Sequence, residues 1–276
     1  MPEPSLAIVI VSYNVRADLE RCLRSLAGRT APFPTEIVVV DNGSTDGTLD
    51  WLRREWPTVG ALAADGNVGF SRGTNLGIRA TASDLVLLLN PDTVVPDGQL
   101  QVLVRALLAH PEAAAAGPRL VDADERPELS FGPMVSPWGE WTQRRLVRAY
   151  GAGHPRATAR VERETRQPGT RDWVSGACLL ARRADLDAVG LLDERYFMYT
   201  EDVDLCAAFR ARGRAVRFVP EATVRHLRGR SVAAAPAATE RRRRESQLAF
   251  YRKHHPVWAP LLAWWLRCRS GDAGNG

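Results

Sequence analysis

The chain has 276 residues, 45% apolar and 25% charged, enough for one large domain or two small ones. Net charge is +5, but residues 1–140 carry −7 and the remainder +12, so a carboxylate-rich first half suits metal or hydroxyl chemistry and a basic second half an anionic partner. This mix excludes collagen-like, mucin-like and wholly disordered chains.

In chain order, Leu6–Ser12 is a continuous apolar, β-branched run that predicts a strand buried on both faces. Leu19, Cys22, Leu23 and Leu26 follow at helical spacing, and Glu36–Asp41 reads as a second buried strand. The turn cluster Asn42–Gly47, a short helix through Trp51–Trp56 and a weak strand near Val59–Ala63 come next. A Gly-rich loop at Asp65–Gly69, a helix over Arg72–Ala82 and a strand at Asp84–Leu89 complete an α/β rhythm with a mainly parallel sheet. After about residue 118 the rhythm breaks, and residues 132–170, rich in Gly, Pro, Trp and Arg, read as a long mobile insertion. Order returns at Asp172–Ala181, with helices near Arg183–Val189 and Glu201–Arg212 and strands around Ala215–Val219 and Thr223–His226. A helix near Thr239–His254 and a Trp-rich segment, Val257–Leu266, form the tail.

Cys22, Cys178, Cys206 and Cys268 are widely spaced with no CxxC pair, which argues against a zinc ribbon or disulfide scaffold and for a reducing, cytoplasmic setting. No stretch reaches the ~18 apolar residues of a membrane span, and Leu6–Val11 lacks the flanks of a signal peptide. The positive charge is nearly all Arg, with Lys253 the only lysine, which fits a GC-rich coding bias. No nucleic-acid-reading motif is present, so no nucleic-acid partner is expected.

In open α/β sheets ligands bind beyond the carboxyl ends of the strands. That edge would gather Ser12-Tyr13-Asn14, Asp41-Asn42 and Asn90-Pro91-Asp92. Asp41 could accept from a base or ribose hydroxyl, or simply start the Asn-Gly turn. Asp92 could reach out of the sheet to a metal, or sit as a turn acid. Glu201, Asp202 and Asp204 are the densest acidic cluster of the second half. On a helix, 201 and 204 share a face while 202 points elsewhere, so one acid could serve the helix terminus and another a substrate. His226, at a strand end, could be a ligand or a structural residue.

Taken together, VIVSYN (9–14), VVVDNGSTDGT (38–48), NVGFSRGTNLGI (67–78), LLLNPDT (87–93), the stretch 173–213 and HLRGRS (226–231) resemble glycosyltransferase family 2, and within it bacterial rhamnosyltransferases. The resemblance implies a GT-A fold over residues 1–235, with a nucleotide-sugar half (1–118), an acceptor half (119–235) and a helical tail (236–276). It also implies a nucleotide-diphospho-sugar donor, a divalent ion (Mg²⁺ or Mn²⁺) and inversion at the anomeric carbon. On the matching motifs, Ser12, Tyr13, Asn14 and Asp41 should hold the nucleoside, and Asp65, Asn67 and Arg72 should line the donor, with Asn75 supporting their loop. Asp92 matches the last acid of the family's DxD-type motif, while Asn90 stands on the donor side in place of its first Asp, with one negative charge fewer. His226 matches a histidine that completes the metal site in relatives. Asp202 matches the general base, and Trp173, Ser175, Gly176 and Glu201 the acceptor side.

The expected acceptor is a glycan or polyprenyl-diphosphate-linked sugar, and L-rhamnose from dTDP-L-rhamnose the expected transfer. Alternatives are another hexose or N-acetylhexosamine from a UDP-sugar, and an inactive GT-A module that only binds nucleotide-sugar or glycan. A nucleotidyltransferase is disfavoured because Ser12-Tyr13-Asn14 stands where its Gly-rich, basic loop would follow the first strand. The tail segment VWAPLLAWWL (257–266), flanked by Arg and His, is too short to span. It is expected either to lie on an anionic membrane at the cytoplasmic face, or to pack on its own domain or across a homodimer.

Overall fold

The computed structural model describes residues 3–27, 33–227 and 236–271. Its first half is a parallel sheet in the order β3-β2-β1-β4, formed by β1 (Leu6–Ser12), β2 (Thr35–Asp41), β3 (Gly60–Ala63) and β4 (Leu85–Leu89). Helices α1 (Arg16–Leu26), α2 (Thr48–Glu55) and α3 (Phe70–Arg79) connect them. All seven residues of β1 are buried, as expected for a central strand covered on both faces. On one face Ile8 and Ile10 join a core with Leu19 and Leu23 of α1 and Trp51 of α2; on the other, Val9 meets Ile78 of α3. α3 lies so close that a Cβ on Gly77 would stand 2.4 Å from a Val9 methyl, so only glycine permits this approach.

The second half extends the same sheet. β5 (Thr93–Val94), α4 (Gln99–Leu108) and β6 (Ala113–Val121) precede the long insertion, so residue 118 lies inside a strand. The insertion itself corrects the expectation of an irregular loop. It carries α5 (Pro137–Gly151) and α6 (Pro155–Glu164), with β7 (Phe131–Gly132) before them and β8 (Gly169–Thr170) after. α5 buries no residue fully, and Trp138, Trp141 and Val147 are exposed; Ser136 caps it by accepting the Gly139 N–H, with proline in the first turn.

β9 (Trp173–Val174) pairs with β7, and β10 (Cys178–Arg182) runs antiparallel between β4 and β6. α7 (Arg183–Val189) and α8 (Glu201–Ala211) lead to β11 (Ala215–His226). The two strands expected here are one, parallel to β6 and broken in register between Val219 and Thr223. α9 (Pro236–His254) and α10 (Ala259–Gly271) form the helical tail, and no described helix is long and apolar enough to cross a membrane. The four cysteines are free.

Candidate active site

The carboxyl edge of the parallel half presents Ser12, Asp41 and Asn90 at the ends of β1, β2 and β4, with Ser12 directly opposite Asp41. Asp41 Oδ2 accepts the Ser44 N–H at 3.1 Å, which makes the turn. Its Oδ1, the Ser12 hydroxyl and Asn42 Oδ1 are buried with no hydrogen-bond partner. Three orphaned polar atoms on one strand edge are costly unless a ligand or water completes them. Asp41 therefore makes the turn and still offers a free acceptor.

Tyr13 is half-exposed beside this edge. Asn14 is committed to the scaffold: its backbone is left-handed (φ 53°), its N–H donates to Ser44 Oγ and its Oδ1 accepts the Thr45 N–H at 2.7 Å. The Asp65–Gly69 loop crosses directly over this turn, because a Cβ on Gly43 would lie 2.9 Å from Gly66 Cα. Asp65 and Asn67 are exposed there, and Asn67 Oδ1 accepts the Gly69 N–H. Arg72 is exposed and sits 3.3 Å from the Glu194 carboxylate. Asn75 is fully engaged, pairing both ways with the Leu192 backbone and donating to Glu194. It supports the 191–200 segment, not the 65–69 loop. Its hydrogen bond, with the charges of Arg79 and Arg72, holds the Glu194 carboxyl below the usual range.

Strand pairing builds the metal candidate. β5 runs antiparallel to β11 with Thr93 opposite His226, so Asp92, one residue earlier, meets the imidazole. His226 Nε2 lies 3.3 Å from Asp92 Oδ1 and 3.5 Å from Asn90 Nδ2. Nδ1 lies 3.2 Å from Glu128 Oε2. Burial pushes the imidazole pKa down, but hydrogen bonds to Asp92 and Glu128 and their charges outweigh it, raising it to about 9. Glu128 orients the ring from behind, as carboxylates do for metal-bound histidines. It had no motif of its own in the sequence. Carboxylate oxygen and imidazole nitrogen suit Mn²⁺ or Mg²⁺. Among the described residues no group of three or more His, Cys, Asp or Glu makes a self-sufficient site, so diphosphate oxygens would have to complete the coordination.

Asp202 occupies the first turn of α8, next to the start of β10. Its Oδ2 accepts the Gly176 N–H and its Oδ1 the Val203 N–H, both at 2.8 Å. Burial raises its pKa above the ordinary carboxylate value, opposed by those two hydrogen bonds. Glu201 is buried, with Oε2 lacking a partner; burial and the neighbouring Asp202 charge raise its pKa strongly. Burial thus pushes both carboxyls up, Glu201 further than Asp202, whose two backbone hydrogen bonds oppose the rise. Gly176 is continuous with Ala177, whose carbonyl accepts the Asn90 N–H at 2.9 Å. A connected arc therefore runs from Asp202 through Gly176, Ala177 and Asn90 to His226 and Asp92. Trp173 donates through Nε1 to the Pro133 carbonyl, and the Ser175 N–H to the Ser130 carbonyl, fixing the wall beside it.

The third acid, Asp204, is structural. It is buried and accepts from Tyr196 Oη (3.1 Å) and Lys253 Nζ (2.8 Å) and pairs with His254 Nε2 (2.6 Å), locking α9 onto α8. The segment between α7 and α8 holds Leu191, Tyr199 and Thr200 at positive φ, a strain that persists only under external restraint. Asn75, the Phe70 N–H on the Phe197 carbonyl and Ser246 Oγ on the Met198 carbonyl supply that restraint. Gly69 completes it, since a Cβ there would lie 2.5 Å from the Phe197 oxygen. The HLRGRS motif passes out of the described residues after Leu227.

A sheet of this topology, with polar strand ends and an Asp–His pair beside a buried acid, is the GT-A fold of nucleotide-sugar transferases. It aligns with GalNAc-T7 solved with UDP, GalNAc and Mn²⁺ at a TM-score of 0.61 and 17% identity, over 82% of this chain and 44% of that one. A mannosyltransferase from Pyrobaculum calidifontis, in complex with GDP-Man and Mn²⁺, aligns at 0.60 and 18%, over 95% and 68%. The sequence model described as Glycosyltransferase like family 2 matches residues 2–247, and the chain belongs to that family. It is 34% identical to the N-acetylglucosaminyl-diphospho-decaprenol L-rhamnosyltransferase of Mycobacterium tuberculosis, over 95% of this chain and 89% of that protein. A low-salt glycan biosynthesis hexosyltransferase of Haloferax volcanii is 27% identical over 75% of this chain and 61% of its own length. The protein is a family 2 glycosyltransferase close to the bacterial rhamnosyltransferases.

Proposed function

We propose that this enzyme is inverting and metal-dependent, and that it transfers L-rhamnose from dTDP-L-rhamnose to a polyprenyl-diphosphate-linked sugar during bacterial cell-surface polysaccharide synthesis, at the cytoplasmic face of the membrane. The observation that carries the reading is the arc joining Asp202 to Asn90, His226 and Asp92. It links the candidate proton acceptor to the candidate anion-side pair through a short run of hydrogen-bonded backbone, which supports their acting on one substrate. The choice of rhamnose and of a lipid-linked acceptor is supported by the Mycobacterium tuberculosis relative.

In this mechanism Asp41 Oδ1 and the Ser12 hydroxyl bind the nucleoside, satisfying their own orphaned valences. The acceptor hydroxyl gives its proton to Asp202 as its oxygen bonds the anomeric carbon, while the bond to the diphosphate breaks and the nucleoside diphosphate leaves with the electron pair. A single displacement with one base inverts that carbon. Asp92 and His226 would hold a divalent ion, which would supply Lewis-acid stabilisation of the charge on a departing diphosphate. The Gly176 and Val203 amides keep Asp202 ionised and aimed.

A second reading, transfer of another hexose, is favoured by the Haloferax volcanii hexosyltransferase. A donor screen tests both: nucleoside diphosphate release is measured for dTDP-L-rhamnose, UDP-hexoses and UDP-N-acetylhexosamines, with and without a polyprenyl-diphosphate-linked acceptor. Acceptor-dependent release with dTDP-L-rhamnose supports the first reading, release with a UDP-sugar alone the second, and binding without turnover an inactive module.

A further inference from the structure

We propose that the outward face of α10 and the arginine-lined cleft between α9 and α10 dock the enzyme on an anionic lipid bilayer. α10 uses one side inward, where Ala259 and Leu262 pack with Phe250 and Tyr251 of α9. Among the described residues the other side is uncovered: Trp258, just before the helix, and Leu261 and Trp264 within it recur at helical spacing and are 48, 55 and 60% exposed. Exposed apolar stripes of this kind mark interaction surfaces. Tryptophan at both ends of the stripe matches the headgroup boundary, where an indole has both apolar and polar neighbours.

A cleft between α9 and α10 supplies the second, independent observation, and Arg267 on its rim lies one turn from Trp264, beside the stripe. The cleft encloses about 700 Å³ and is lined by Arg241, Arg244, Arg252 and Arg267, with Leu248 and Leu266 among its apolar walls. Glu245 and Glu240 also line it and pair with Arg241 and Arg244, leaving the lining with excess positive charge. Across both helices eight Arg or Lys stand against two Glu. Guanidinium groups over an apolar floor fit a lipid phosphate and the first carbons of its chains. A bilayer answers both features at once, the stripe by its interface and the cleft by its charge. The 13 residues of α10 rise only ~20 Å, short of the ~30 Å hydrocarbon core, so the helix lies along the surface. Lys253 and His254 of α9 grip Asp204 on α8, so the docking element is rigidly joined to the helix that carries Asp202. Only the purpose of this docking, access to a polyprenyl-linked acceptor, rests on the proposed function.

Vesicle flotation of the full chain tests it, using phosphatidylglycerol/phosphatidylcholine vesicles against phosphatidylcholine alone, at low and high salt. Wild type should float with the anionic vesicles at low salt and be released by high salt. Two double variants, Leu261→Ser with Trp264→Ser and Arg252→Gln with Arg267→Gln, should each lose about tenfold or more of the bound fraction, since apolar burial and charge act together. Circular dichroism and turnover on a water-soluble, short-chain acceptor should stay at wild-type values. The proposal is overturned if wild type stays at the bottom with every vesicle, or if both variants float like wild type. It is equally overturned if wild type sediments as a dimer that Leu261→Ser with Trp264→Ser dissociates, without vesicle binding. Should flotation behave as expected while no protein turns over any donor, docking stands and the functional reading falls.

Discussion

Replacing Asp202 by asparagine removes the proposed base while keeping its shape, and the structure sets the size of the effect. Both carboxylate oxygens accept backbone N–H groups, from Gly176 and Val203 at 2.8 Å. Asparagine has one oxygen, so its amide nitrogen must face one of those donors and leave it unsatisfied, at about 1–3 kcal/mol. At ~2–4 °C per kcal/mol for a chain near this size, Asp202→Asn should melt several degrees lower yet remain folded at 25 °C. Loss of a general base costs about 10²–10⁴ in rate, or ~2.7–5.4 kcal/mol of barrier. Donor affinity should move by no more than a few fold, because the proposed base acts on the acceptor hydroxyl and not on the donor. The assay is nucleoside diphosphate release at saturating donor and acceptor, with donor Kd by calorimetry and Tm on the same preparations. Near-normal kcat in a folded Asp202→Asn would refute the assignment. Glu201 would then be next in line, since Asp204 is occupied by Tyr196, Lys253 and His254.

Glu201→Gln should retain kcat within a few fold, because burial and the Asp202 charge push the Glu201 carboxyl toward its neutral form, which glutamine mimics; a loss matching that of Asp202→Asn would contradict this. A folded-state pKa above the unfolded one means the native state binds the extra proton, so wild-type stability falls as pH rises from the unfolded toward the folded value. Tm measured from pH 5 to pH 9 should therefore decline less in Glu201→Gln. The acidic limb of kcat should rise with pH through an Asp202 pKa above the ordinary carboxylate value, and Glu201→Gln should leave that limb in place. Asp92→Ala and His226→Ala should raise the Mn²⁺ or Mg²⁺ concentration for half-maximal activity, and Glu128→Gln should do so about 10–100-fold through the ring it orients; activity indifferent to a strong chelator would contradict all three. Asp204→Asn should lower stability by about 1.5–3 kcal/mol through weakened charged hydrogen bonds to α9, read as a drop in Tm.

The parallel half of the sheet was legible because its strands are apolar runs between helices of clear period. β1 is buried along its length, so composition alone marks it. β6 was hidden: its Ala113–Ala116 run has no β-branched signature, yet all four alanines are fully buried. α5 escaped for a different reason: none of its residues is fully buried, and Trp138, Trp141 and Val147 are exposed, so its apolar residues mark no core-facing stripe. At the site, Asp41, Asp92, Asp202 and His226 belong to motifs and could be named. Glu128 could not, because its role arises only when the segment after β6 returns beside β11, 98 residues away in sequence. Asn14 and Asn75 stand in equally strong motifs, but their polar atoms hold the scaffold.

The central claim is that Asp202 draws the proton from an acceptor sugar as rhamnose leaves dTDP. Its most direct test is release of dTDP from dTDP-L-rhamnose by the pure enzyme, with and without polyprenyl-diphosphate-linked N-acetylglucosamine, run beside Asp202→Asn. Release that requires the acceptor and vanishes in the variant is the predicted result. Donor that binds but yields no acceptor-dependent release, with this or any other nucleotide sugar, would contradict it.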